Sequence, residues 1–112
     1  MNESVNRVRA VLAALIKAAL VSDDGKSRGF RDAARAAQQA LAADPPDAAS
    51  VRVDGAWTFA IADAETPELV PGEGRVSLTL PRACPFTLDE LFMPSFDVGT
   101  AVERIRKSAS TG

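Results

Sequence analysis

Val5, Val8, Val11, Leu12, Leu15, Ile16, Ala19 and Leu20 follow helical spacing between Val5 and Val21. At about 100° per residue they cover roughly half the circumference of a helix, leaving Asn6, Arg7 and Lys17 on the other half. A single neighbour cannot bury so broad an apolar arc. The first helix is therefore expected at the centre of the fold, touching both a sheet and another helix, with Ser4 or Asn2 capping its orphan N–H groups. Arg7 and Arg9 ahead of the arc give a superficial likeness to a secretion signal. Lys17 interrupts the stretch, Leu20-Val21-Ser22 is a poor cleavage site, and the run is too short and too charged to cross a bilayer.

Ser22 to Gly29, with Gly25, Gly29, Asp23 and Asp24, reads as a break. A second helix follows over about 30–43, with Phe30, Ala34, Ala37 and Leu41 as its apolar stripe. Asp44-Pro45-Pro46 ends it, because proline disfavours helical backbone in the residue before it. The short connection predicts an antiparallel helical hairpin.

Val51-Arg52-Val53, Asp54-Gly55 and Trp57-Thr58-Phe59-Ala60-Ile61 read as a β-hairpin. A three-residue loop, Val53-Asp54-Gly55, sets Val51 opposite Trp57 and gathers Val51, Trp57, Phe59 and Ile61 on one face, with Gly55 in the left-handed position. Arg75 to Leu80 alternates cleanly and predicts a third strand. Thr87-Leu88-Asp89-Glu90 has capping-box form and predicts a short helix stopped near Pro94. Thr100-Ala101-Val102-Glu103 has the same form and predicts a last helix with Val98, Ala101, Val102, Ile105 and Ala109 inward. The expected fold is thus α+β in the order α-α-β-β-β-α-α: a helical hairpin, a three-stranded antiparallel sheet sealed by Leu12, Leu15 and Ile16 over Trp57, Phe59 and Leu78, and C-terminal helices. With 112 residues it makes one small domain, 1–112, with 108–112 frayed.

Composition removes whole classes of chemistry. There is no His, so His general bases, Ser-His-Asp and Cys-His catalysis and His metal sites are excluded. A single cysteine, Cys84, permits no internal disulfide or thiolate zinc site and suits a reducing, cytoplasmic setting. Arg82 beside it raises the possibility of an activated thiolate, against the plainer reading of a small buried hydrophobe. Gly25-Lys26-Ser27 lacks the glycine and the preceding strand of a phosphate-binding loop. Asp23-Asp24 lacks the alternating ligands of a calcium loop. The carboxylate pairs Glu65/Glu68 and Asp89/Glu90 are explained by a polar loop and by the first turn of a helix. No catalytic residue, metal or cofactor is expected, and the protein is read as a non-enzyme. Arg outnumbers Lys ten to three and Ala occurs 21 times, a balance typical of GC-rich bacterial codon usage.

Two surfaces carry the expectation of function. Phe86, Phe92, Met93 and Phe96 crowd a short, proline-bounded segment, and any of them left outside the core would make a docking patch. The acidic 63–74 connection, with Glu65 and Glu68, is a second place for a partner. The leading expectation is a protein–protein interaction module, with a protein partner or as a homodimer. The alternative is anion or nucleic-acid binding through Arg28, Arg31 and Arg35, spaced i, i+3, i+7 on the second helix opposite Phe30 and Leu41, with Gln38 continuing the line. The sequence pI of about 5.1 counts against nucleic acid. The predicted order resembles the double-stranded RNA-binding domain in coarse topology. The last helix opens without that domain's lysines and the first helix pair is foreign to it, so no function is carried over.

Overall fold

The computed structural model describes residues 3–21, 24–64 and 83–108. Five α-helices account for most of them: α1 (Glu3–Leu20), α2 (Asp24–Ala43), α3 (Val53–Ala64), α4 (Leu88–Leu91) and α5 (Val98–Ser108), with a 3₁₀ turn at Ala48–Ser50. Of the described residues 79% are helical and none lies in a strand, which overturns the α+β expectation and with it the likeness to an RNA-binding domain. The third expected strand, Arg75 to Leu80, and the acidic loop residues Glu65 and Glu68 lie outside the described residues.

α1 does sit at the centre, but helices surround it. It packs against α2, α3 and α5, and Val8, Val11, Leu12, Leu15, Ile16, Ala18, Ala19 and Leu20 are sealed from solvent. Three helical neighbours satisfy the broad arc that was expected to divide between a sheet and one helix. Ser4 lies within α1 and so does not cap it, and Asn2, the other candidate, lies outside the described residues. The carboxy-terminal end is capped from a distance: the Arg106 guanidinium of α5 donates to the carbonyls of Ala18, Ala19 and Val21, each at 3.2 Å. A cation on these unpaired carbonyls matches both their hydrogen-bonding deficit and the helix dipole.

α2 begins six residues earlier than the glycines suggested. Ser27 is buried and its hydroxyl donates to the Ala18 carbonyl at 3.0 Å, so a tertiary contact offsets the poor helix propensity of Gly25 and Gly29. At the other end the Arg7 guanidinium donates to the Ala40 carbonyl at 3.1 Å. The start of α2 thus lies by the end of α1, and its end by the start of α1: the two are antiparallel.

The largest correction concerns 51–61, a helix where a hairpin was expected. Val53, Ala56, Trp57, Ala60 and Ala64 fall at i, i+3, i+4, i+7 and i+11, and all but the half-buried Val53 are buried. Trp57 is 0% exposed, whereas Phe59, assigned to the same inner face in the hairpin, is 43% exposed. Ala56, Ala60, Ala62 and Ala64 are strong helix formers and poor strand formers. Asp54 acts as a first-turn acid, favoured by the dipole, rather than as half of a turn.

Thr87 caps α4 through a complete capping box. Its hydroxyl accepts from the Glu90 N–H at 3.2 Å, and its own N–H donates to Glu90 Oε1 at 3.1 Å. α5 opens at Val98 instead of Thr100 because Asp97 takes the cap: Asp97 Oδ1 accepts from the N–H groups of Gly99 (2.9 Å) and Thr100 (3.3 Å). Val98, Ala101, Val102 and Ile105 face inward.

Candidate functional site

The segment joining α4 to α5 is short and aromatic, and it leaves a cleft between the two helices. Phe86, Phe96, Met93 and Ala101 line its apolar part, and Glu90, Ser95, Asp97, Thr100 and Arg104 its polar rim, around a volume of about 190 Å³. The Phe86 and Phe96 rings meet edge to face, 5.8 Å apart at 70°, an arrangement favoured by their quadrupoles. Arg104 stands 5.1 Å from the Phe86 ring centre and donates to Glu90 Oε2 at 2.7 Å and to the Pro85 carbonyl at 3.3 Å. Met93 is 53% exposed at the mouth.

One buried polar side chain fixes this geometry. Gln38 of α2 is only 2% exposed, and its Nε2 donates to the Leu91 carbonyl at 3.0 Å and the Met93 carbonyl at 2.7 Å. The turn that presents Met93 is therefore tied to α2 through the two hydrogen bonds donated by the buried Gln38 Nε2.

The carboxylates of the rim are already engaged. The Arg104 guanidinium and the Thr87 N–H hold the Glu90 carboxyl below its ordinary range. The N–H of Thr100, then its hydroxyl and the N–H of Gly99, lower that of Asp97, with a smaller contribution from the charge of Arg35. Neither is poised to carry a proton near neutral pH. Cys84 is half-buried, and burial first, then the charges of Asp54 and Glu90, push its thiol up to about 11. Burial and these carboxylates oppose an activated thiolate, and Arg82, the cation considered for it, lies outside the described residues. Among the described residues no group of three or more acidic or cysteine side chains is placed to hold a metal ion, and no helix is long and apolar enough to cross a membrane.

Of the expected docking residues, the structure brings Phe86, Met93 and Phe96 into the cleft, although Phe86 is itself largely buried. Phe92 is half-buried against the core and does not line the cleft. Arg28 and Arg35 are exposed on α2 and Arg31 is half-buried. Arg35 pairs with Asp32 at 2.9 Å. Gln38, expected to continue this line, is instead buried and tied to the backbone of α4 and the turn after it. The roles of Gln38, Asp97 and Arg104 went unrecognised in the sequence. That of Gln38 could have been found: it lies four residues after Ala34 and three before Leu41, the spacing of an inward position.

A second concavity, about 470 Å³, runs along α1 and is lined by Ala10, Ala13, Ala14 and Lys17 with Phe30, Ala33 and Asp63 at its sides. Its ionic groups are engaged with each other and with rings. Arg9 donates to both Asp63 oxygens at 2.5 and 2.6 Å and stands 5.3 Å over Phe59, while Lys17 stands 5.8 Å over Phe30.

Compared with protein-family models, curated proteins and solved structures, the chain has no match in any of the three.

Proposed function

We propose that this protein is a non-enzymatic interaction module that holds a partner polypeptide by seating one large apolar side chain in the α4–α5 cleft. The observation that carries this reading is Met93, more than half exposed at the mouth of an aromatic-walled cleft and held there by a buried amide. A thioether that adapts its shape suits a surface that receives apolar side chains. The cleft volume supports a side chain over a metabolite, since sites for drug-sized ligands begin at about 300 Å³. The half-buried, fully protonated thiol is compatible with the reducing cytoplasm proposed for the chain.

Seating one such side chain yields only about 1.5–3 kcal/mol, whereas even millimolar affinity requires about 4.1 kcal/mol. Contacts beyond the cleft must supply the difference. The test is selection from a random twelve-residue peptide library on the immobilised protein, with Thr100→Trp, which places an indole over the cleft, as the comparison target. Enriched peptides are expected to share one Leu, Phe, Met or Trp and to lose binding to the Thr100→Trp protein. No enrichment, or equal binding to both proteins, contradicts the reading.

A further inference from the structure

The cleft and the arginine line of α2 are joined through Gln38. Arg28, Arg31, Arg35 and Gln38 follow one another at i, i+3, i+7 and i+10 along a single edge of the helix. Gln38, at the end of that edge, donates to the backbone of Leu91, buried in the core, and of Met93, at the mouth of the cleft. One turn back, the charge of Arg35 makes a small contribution to lowering the Asp97 carboxyl on the cleft rim. Arg28 lies seven residues before Arg35, about 10 Å further along the helix. The arginine edge of α2 thus meets the cleft segment at Gln38, whose amide holds the Met93 carbonyl.

We infer that the α4–α5 cleft and the Arg28–Arg31–Arg35 edge form one docking surface, whose occupant is an acidic polypeptide segment carrying a single large apolar residue. This rests on the cleft reading above and adds the charge of the partner. Arg28 and Arg31 make no ion pair or hydrogen bond with the described residues. Arg35 has only the exposed Asp32, a pairing of the kind that is readily exchanged. The rim carboxylates do not oppose an acidic occupant strongly, because Glu90 is neutralised by Arg104 and Asp97 serves the first turn of α5. An extended chain covers about 3.3 Å per residue. Acidic residues two to five positions from the apolar one therefore reach the arginines while that residue stays in the cleft. A peptide fits better than a nucleic acid. Only three arginines with an intervening Asp32 form the edge, and no ring stands among them for a base to stack on, since Phe30 is taken by Lys17.

The test uses fluorescein-labelled Ac-LSSDEEG-NH₂, with Ac-LSSKKKG-NH₂ and Ac-SSSDEEG-NH₂ as controls, followed by polarisation at 20 and 500 mM salt. A labelled twelve-residue thymidine oligonucleotide is measured beside them. The first peptide is expected to bind at least tenfold more tightly than either control at low salt. That advantage over the lysine peptide should shrink at high salt and disappear in the Arg28→Glu/Arg31→Glu protein, whose fold is checked by circular dichroism. Equal binding of the acidic and lysine peptides, both still blocked by Thr100→Trp, overturns the acidic partner and leaves the cleft reading standing. Equal binding of the two acidic peptides overturns the joint surface and removes support for the cleft. Failure of all three peptides, together with no enrichment from the library, overturns both. Tighter binding of the oligonucleotide identifies the occupant as nucleic acid. Concentration-dependent self-association lost in the double-Glu protein identifies it as a second copy of the chain. Either result overturns the inference.

Discussion

Gly55→Ala separates a helix from a hairpin at 53–64 by the sign of its effect on stability. Gly55 is the third residue of α3 and its backbone lies outside the positive-φ region. A Cβ built there meets only Arg52 Cβ, at 3.9 Å, an ordinary contact. Alanine then costs nothing in space and restricts the unfolded chain, a gain of about 0.5–1 kcal/mol. In the three-residue hairpin loop the same position requires left-handed backbone, and alanine there costs about 1–2 kcal/mol. The assay is urea unfolding followed through Trp57, the sole tryptophan, fully buried in the native state. With a slope of about 1–3 kcal/mol per molar, the helix predicts a midpoint raised by a few tenths of a molar. A midpoint lowered by a comparable amount refutes the argument.

Gly29→Ala is expected to stabilise by a similar amount, because an added Cβ meets nothing within 4 Å inside α2; a loss of stability in the same assay would return Ser22–Gly29 to a break. Gln38→Ala removes the buried amide that donates to both the Leu91 and the Met93 carbonyls, and should lower unfolding stability by about 1–3 kcal/mol. Retention of full stability would show that the amide does not hold the cleft. The Cys84 thiol, pushed up to about 11, holds roughly two-hundredfold less thiolate at pH 8 than a free thiol of about 8.5. After the greater nucleophilicity of that thiolate is allowed for, it should react with a disulfide reagent more slowly than the free thiol by roughly tenfold or more. Comparable rates would contradict its burial. Asp97 is lowered from 3.8 in the folded protein. Its contribution to stability is therefore complete above the unfolded value and is lost as the pH falls through the lower folded one. The stability gap between the parent and Asp97→Ala should be constant near neutrality and narrow in acid. A gap that widens below pH 4 would reverse that assignment.

Much of the helical framework was legible because its signals were redundant. The arc on α1 is too long and too regular for a strand, and the Phe30/Leu41 stripe and the Thr87 capping box each pair a spacing with a capping or stop residue. Where signals competed, the sequence misled. Trp57, Phe59 and Ile61 alternate as a strand does, while Val53, Ala56, Trp57, Ala60 and Ala64 repeat as a helix does, and Asp54-Gly55 ahead of them looks like a hairpin turn. Burial against α1 decides for the helix, because the alanines allow the close approach that bulky strand residues would prevent. Gly25 and Gly29 misled in the same way, since Ser27 reaching Ala18 is a tertiary contact that no local pattern contains. At the cleft, the aromatic and thioether residues were visible as a crowded apolar run. Arg104 and Asp97 were not, because their roles depend on how α4 and α5 face each other.

The helical α3 beside a central α1 is the claim from which the remaining surfaces follow, and backbone NMR tests it most directly. The account predicts Cα shifts displaced to the helical side throughout 53–64, with sequential contacts of helical type. Strand-like shifts there, with cross-strand contacts between Val51 and Trp57, would contradict it.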